Sequence, residues 1–443
     1  MSSIKYNINK IKNISKSFKS NKSLKQFNNK IENTTGYSSK HIIIGVITVI
    51  IVLYIVLKLY RWYYNISEFS NNNDANNNSN NNAIVSTDTN NAAINNNDNI
   101  NYLNSGTIVP VMKRPFLNLY AVMKDGSEKA TNIVFITHHF TRDDCEIDYN
   151  KFKKENIHFL GLSSYSEFPG KITNIHDVLN DHNHKAYSYN YFDLTRGWCS
   201  VFREENNKRW IKEGFPTLQC AESDFAKFKT HLPDPNVKKE YDFIYICLKD
   251  GEKKETDKDC PNGWQSTIRE WEMTKKCLDI MCKKYKLKGL LLGRIQCQVP
   301  DNCHQLMELT DFQEYSTFIK NFNKCRFVFC GSMRDASPRT VTEGLCFNLP
   351  VLMNKNILGG WQYINEQTGS FFDPDNIENT FEPVLDKFIK KLNNNEYTPR
   401  EWFINNYGEY NSGAKLLKFV KSIFKEDELN VKYDEIEYVK PGI

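Results

Sequence analysis

A chain of 443 residues with 40% apolar and 13% aromatic content can hold two or three domains with real cores. Its formal charge of +5 is small and sits at one end: nine lysines precede His41 against one acid, Glu32, so the remainder is slightly acidic. That balance argues against a head built to bind nucleic acid, and no nucleic-acid partner is expected.

In chain order, residues 1–40 read as a basic cytoplasmic tail and residues 41–60 as a transmembrane signal anchor. The run from Ile42 to Leu57 carries no charge. Leu59 and Tyr60 extend it past Lys58, close to the ~20 residues that cross a bilayer. Tyr60, Trp62, Tyr63 and Tyr64 supply an interfacial aromatic collar. The long preceding region and the lack of a small-x-small site argue against a cleaved signal peptide. The lysine bias keeps the N-terminus in the cytoplasm. The expectation is therefore a single-pass type II protein of the Golgi or another secretory-pathway membrane, with a lumenal head. Asn65-Ile66-Ser67 and Asn77-Asn78-Ser79 are glycosylation acceptor triplets on that side. Residues 65–107 are Asn-rich and too poor in apolar side chains to offset ordering entropy, so they read as a disordered stem.

Folded structure is expected from about residue 108. Residues 132–137 and 157–162 read as buried strands, and 186–194 alternates as a third. Residues 199–228 look largely helical around Trp210. Two prolines in 231–236 mark a linker. Beyond it, strands at 241–248, 289–293, 326–330 and 350–353 alternate with helices at 267–285, 311–322 and 338–347. That alternation implies βαβ units and a parallel sheet. The fold class is α/β: two Rossmann-like, doubly wound domains, 108–235 (short) and 238–395. Crossover helices at 396–428 and a tail at 429–443 follow. Ligands in such sheets lie outside the carboxyl ends of the strands.

Residues 331–373, GSMRDASPRTVTEGLCFNLPVLMNKNILGGWQYINEQTGSFFD, concentrate the chemistry. Ser337 as N-cap and Pro338 at the first position start a helix, and Asn348 with Pro350 stops it. The first-turn amides and the helix dipole suit a phosphate. Arg339 adds a guanidinium suited to bidentate phosphate contact. Glu343 lies four residues on, on the same face, where the pair also fits a plain surface ion pair.

This segment resembles the signature of retaining nucleotide-sugar glycosyltransferases of the GT-B fold, the glycosyltransferase-family-4-like (group 1) family. Asp335 stands for the first acid of the motif and Glu343 for the second. Gly344 takes the Ala position, Asn348 the small turn residue, and Pro350-Val351 match. Residues 365–373 look like the strand that follows, and 399–407 like the helix crossing back to the first domain. The resemblance spans roughly residues 241–424. It implies that Asp335 contacts the donor sugar and Glu343 the ribose, with backbone around Ser337, Pro338, Arg339 and Thr340 holding the diphosphate. A basic residue should follow the first strand of the donor domain; Lys249 matches best, with Arg294 in reserve. Arg339 after Ser-Pro also resembles the exostosin-type inverting transferases.

On the acceptor side the family's Gly-rich turn is replaced by Thr137-His138-His139-Phe140. His138 and His139 are candidate sugar contacts, or polar residues satisfied at a strand end. The implied function is a membrane-anchored transferase moving sugar from a UDP- or GDP-linked donor to a glycan, glycoprotein or glycolipid acceptor. The resemblance implies a retaining reaction with no metal and no cofactor. The alternative is a catalytically silent GT-B-like head that binds carbohydrate or assists assembly.

All twelve cysteines lie between Cys145 and Cys346. In a lumenal head some should pair. Cys297 and Cys303-His304 lack a second pair at zinc spacing, so a loop disulfide or free thiols are expected there. Cys247 and Cys330 read as small core residues.

Overall fold

The computed structural model describes residues 109, 112–140, 143–163, 168–169, 189–251, 259–260 and 263–442. The tail, span and stem expected at 1–40, 41–60 and 65–107 lie outside the described residues. Among the described residues no helix is long and apolar enough to cross a membrane.

Two six-stranded sheets form the head. The first contains β1 (Phe116–Met123), β2 (Glu128–Ile136), β3 (His158–Leu162), β4 (Trp198–Ser200) and β5 (Thr217–Gln219). Helices α1 (Asp143–Lys154), α2 (Tyr191–Leu194) and α3 (Glu204–Trp210) connect them. Strands β2 to β5 run parallel in sequence order, while β1 pairs antiparallel with β2.

The second sheet holds β6 (Tyr241–Ile246), β7 (Gly289–Leu292), β8 (Met307–Thr310), β9 (Cys325–Cys330), β10 (Val351–Asn354) and β11 (Gly369–Phe372). Its helices are α4 (Trp264–Ile268), α5 (Trp271–Tyr285), α6 (Tyr315–Lys324), α7 (Arg339–Cys346) and α8 (Ile377–Asn393). Every pairing is parallel, in the order β11-β10-β9-β6-β7-β8. Numbered within the sheet this is the doubly wound order 3-2-1-4-5-6, whose switch point lies between β6 and β9. The chain then crosses back through α9 (Pro399–Asn406) and α10 (Gly408–Ile423) and ends in β12 (Ile436–Pro441).

The second sheet forms because its strands are continuous apolar runs covered on both faces. Phe243, Tyr245, Phe327 and Phe329 pack under Leu278 and Met281 of α5 and Phe381 and Phe388 of α8. Ile244, Val328 and Val351 face Val341 and Leu345 of α7. The first sheet rests Leu119, Ile133 and Leu160 on Leu416 and Val420 of α10. Its other face sets Val134 and Phe159 against Tyr149 and Phe152 of α1.

Three expectations need correction. Residues 186–194 are not a strand where described: Tyr191–Leu194 is a helical turn capped by the Asn190 side chain, which accepts from the Phe192 amide. Residues 199–228 are not largely helical. Trp198–Ser200 is fully buried between β3 and β5, and Gly214 at φ +73° followed by Pro216 ends the short α3 region. The tail expected at 429–443 supplies β12, which pairs antiparallel with β1 from Leu119↔Pro441 to Met123↔Ile436. The first domain is therefore larger than its contiguous sequence.

The two sheets meet along the carboxyl ends of β4 and β5. Trp361 Nε1 donates to the Val201 carbonyl at 3.1 Å, and Arg203 donates to that of Lys355 at 2.7 Å. Arg400, at the start of α9, donates to the carbonyls of His231 (2.7 Å), Phe228 (2.9 Å) and Cys346, bracing the linker against α7. Disulfides join Cys260 to Cys297 and Cys282 to Cys303; the other eight cysteines are buried thiols, Cys247 and Cys330 in the sheet core as expected.

Candidate functional site

The loop from Gly331 to Pro338 leaves the carboxyl end of β9 at the switch point. Backbone bonds hold it on both sides: Met333 N donates to Ile268 O at 3.1 Å, and Gly359 N to Asp335 O at 2.9 Å. Gly359 has to be glycine, because a Cβ there meets the Ala336 carbonyl oxygen at 1.9 Å. Asp335 thus projects from a pinned loop. Its Oδ1 accepts from the Ser337 amide at 3.1 Å, and its Oδ2 sits 3.2 Å from Arg269 Nη2.

Arg269 is the cation that sequence reasoning missed. It lies between α4 and α5, on the segment following β6. The single helix expected over 267–285 breaks there, with Glu270 at φ +50°. Burial pulls the Arg269 guanidinium's pKa down, but the Asp335 carboxylate, joined by Cys247, Cys330 and Tyr245, outweighs it and the net shift is upward. No glycine or proline marks the break, so nothing in the sequence announces it.

Glu343 sits one turn into α7 and is 7% exposed. Burial pushes its carboxyl up to about 7, against the pull of the Arg339 charge and a hydrogen bond from Tyr315. That bond runs from Tyr315 Oη to Glu343 Oε1 at 3.0 Å, and Tyr315 in turn meets His231 Nε2 at 3.0 Å. Neither Tyr315 nor His231 carries a sequence signal.

Ser337, Pro338, Arg339 and Thr340 lie together on this loop and helix, but the cap differs from expectation. Pro338 is the residue before α7 and no side chain caps it. The Ser337 hydroxyl points across the seam instead, accepting from the Ser223 amide at 2.9 Å and donating to Ser223 Oγ at 3.0 Å. The stop is as expected: Asn348, at φ +62°, follows the last helical turn.

Lys249 follows β6 at the carboxyl end, exposed, with its Nζ 3.8 Å from Asp311. Arg294 is not available to a ligand. It is 1% exposed and donates to the carbonyls of Gly293 (2.9 Å) and Leu248 (2.5 Å) and to Ser266 Oγ (2.8 Å). It is a strut between loops, because only internal acceptors keep a buried guanidinium solvated. His138 and His139 follow β2 on the first sheet. His138 is half-buried, with Nδ1 3.2 Å from Thr137 Oγ1. His139 is buried edge-on against Phe168 and Tyr191, as a core residue rather than a sugar contact.

The arrangement brings a guanidinium–carboxylate pair, an uncapped helix start and a buried carboxylate to one edge of a doubly wound sheet. It can hold an anion beside a polyhydroxylated group. No group of three or more acids, histidines or cysteines among the described residues is placed to hold a metal.

No protein-family model matches this chain, and no curated protein matches it. Among solved structures it resembles a glycosyltransferase from Rickettsia africae ESF-5 at 16% identity and TM-score 0.44, over 66% of this chain and 77% of that one. It resembles sucrose-phosphate synthase from Thermosynechococcus elongatus at 10% identity and TM-score 0.43, over 62% and 69%. Against TarM the values are 14% and 0.41, over 62% and 53%, so the chain spans about half the length of TarM. What locates the site is the strand order of the second sheet.

Proposed function

We propose that this protein is a glycosyltransferase of GT-B type that moves a sugar from a UDP- or GDP-linked donor to a glycan, glycoprotein or glycolipid. The observation that carries the reading is the Arg269–Asp335 pair at the switch point, 3.2 Å apart, with Glu343 buried on the helix that starts there. In this reading Asp335 accepts from donor-sugar hydroxyls and Glu343 from the ribose. Arg269, Arg339 and the first amides of α7 surround the diphosphate. As the bond between the anomeric carbon and the diphosphate oxygen breaks, negative charge gathers on the departing group. Cations and helix amides fixed at that place stabilise this charge more than the ground state. The reaction is read as retaining and metal-independent, following the resemblance of residues 335–351 to the retaining family.

The anchor at 41–60 and the lysine bias support a type II topology in the Golgi or another secretory membrane. The two disulfides fit an oxidising lumen. The test is donor turnover by the full-length protein in detergent, with Asp335→Ala and Glu343→Ala as controls. Turnover lost in both variants supports the reading. Turnover and donor binding unaltered in both refutes the site. A protein that binds sugars but turns over no donor is the silent head instead.

A further inference from the structure

Glu343 does not stand alone on α7. Tyr315, the first residue of α6, and His231, from the linker between the sheets, form a hydrogen-bonded chain ending on its carboxylate. Both contacts are 3.0 Å, and His231 is 6% exposed. A tyrosine hydroxyl has one proton. If it goes to Glu343 Oε1, the imidazole must donate to the tyrosine oxygen through Nε2–H. His231 Nδ1 then carries a lone pair, and it is a buried atom with no hydrogen-bond partner. Burial, Lys227 and Arg400 together push the imidazole down to about 4, so it is neutral at physiological pH. A neutral ring with its proton on Nε2 satisfies the geometry; an imidazolium would place an unpaired N–H in the core.

We propose that Tyr315 and His231 are positioning residues that orient the Glu343 carboxylate and favour its charged form, its Oε1 occupied and its Oε2 left for a ligand's ribose hydroxyls. The inference rests on the reading of Glu343 as the ribose carboxylate. It goes beyond that reading by assigning the chain that orients the carboxylate and, with Arg339, favours its charge, and by rooting that chain in the interdomain linker. The charged and titratable groups around it are Arg339 and Cys346 on α7, Tyr315 on α6, His231 and Lys227 near the linker, and Arg400 on α9. Of these only Arg339 and Tyr315 oppose the burial that favours the protonated acid. Removing the Tyr315 hydroxyl leaves Arg339 alone against it. The carboxyl then titrates at higher pH, and protonation turns one of its oxygens into a donor and leaves a neutral, weaker acceptor for the ribose hydroxyls.

The experiment is isothermal titration of the full-length protein in detergent with UDP and with GDP at pH 6.5 and 8.5. Wild type, Glu343→Gln, Tyr315→Phe, His231→Ala and His231→Gln are compared. For whichever nucleotide binds, Tyr315→Phe should weaken affinity roughly tenfold at pH 6.5, the worth of one hydrogen bond to a charged group, and much less at pH 8.5. His231→Ala should move the same way by less, and His231→Gln, which restores an N–H donor, should recover. Loss by the same factor at both pH values would mark a merely structural role and overturn the proposal. So would wild-type affinity in Tyr315→Phe while Glu343→Gln is weakened, which leaves the ribose reading standing. If Glu343→Gln binds as wild type, or neither nucleotide binds, the ribose reading itself fails and the proposal falls with it.

Discussion

Replacing Asp224 by Asn removes one titrating carboxyl from the seam between the two sheets and keeps its shape. Asp224 is 3% exposed. Its Oδ2 accepts from the Ala221 amide at 3.0 Å, and its Oδ1 accepts from the Tyr363 hydroxyl. Tyr363 also meets Ser223 Oγ at 2.8 Å, and Ser223 meets Ser337 on the candidate site loop. Burial drives the Asp224 carboxyl from 3.8 up to about 6, against the bonds from Tyr363 and Ala221. A folded-state value above the unfolded one means the folded state holds the proton more tightly. The stability this group adds is complete below 3.8 and is lost as pH rises through 6. The whole excursion is worth about 3 kcal/mol, of which about 2 kcal/mol falls between pH 4.5 and 7. Chemical denaturation of wild type and Asp224→Asn at those two pH values measures it. The difference in unfolding free energy between the two proteins should shift by about 2 kcal/mol in favour of the variant as pH rises. The comparison cancels other titrating groups, Glu343 among them, and any fixed loss from the Ala221 bond. A difference that stays constant across the two pH values would refute the account of a carboxylate held in a dry seam.

Arg269→Ala should lower donor turnover by about a hundredfold or more, in line with loss of a fixed charge at a developing anion, while far-UV circular dichroism is unchanged. Lys249→Ala, removing an exposed side chain already beside Asp311, should lower turnover much less in the same assay. Arg294→Ala should instead act on stability, costing about 3 kcal/mol or more in denaturant titration because it opens a buried set of acceptors. Non-reducing peptide mapping should recover Cys260–Cys297 and Cys282–Cys303; alkylation of all twelve cysteines without reductant would contradict both bridges and the lumenal placement. In sealed microsomes the folded head should resist added protease, and its digestion would overturn the type II topology.

The second sheet was legible because its strands are buried on both faces and so appear as unbroken apolar runs at β6, β7, β9 and β10. The Asn348 stop was legible for a local reason: φ is +62° there, a conformation that asparagine tolerates past the end of a helix. Strands β4 and β5 have three residues each and exist only because neighbours pair with them, so no periodicity marks them. Strand β12 belongs to a sheet begun more than three hundred residues earlier, a pairing that no local pattern encodes. The carboxylates of the candidate site were readable from the 331–373 motif, but their partners were not. Arg269 depends on a left-handed residue at Glu270 that is not glycine, and His231 meets Tyr315 across 84 residues of sequence. Arg294, the reserve cation, and His139, open between a sugar contact and a satisfied polar residue, are both buried: exposure, not residue type, decides whether a polar side chain serves a ligand or the core.

The most direct measurement is thermal unfolding of the full-length protein against a panel of UDP- and GDP-linked sugars, repeated for Arg269→Ala and Glu343→Gln. A ligand at a hundred times its Kd adds about 2.7 kcal/mol to the native state. One nucleotide sugar should raise the unfolding temperature of wild type, and both variants should lose that rise. A panel in which no nucleotide sugar moves the transition, or one whose effect survives both substitutions, contradicts a donor site at the switch point of the second sheet.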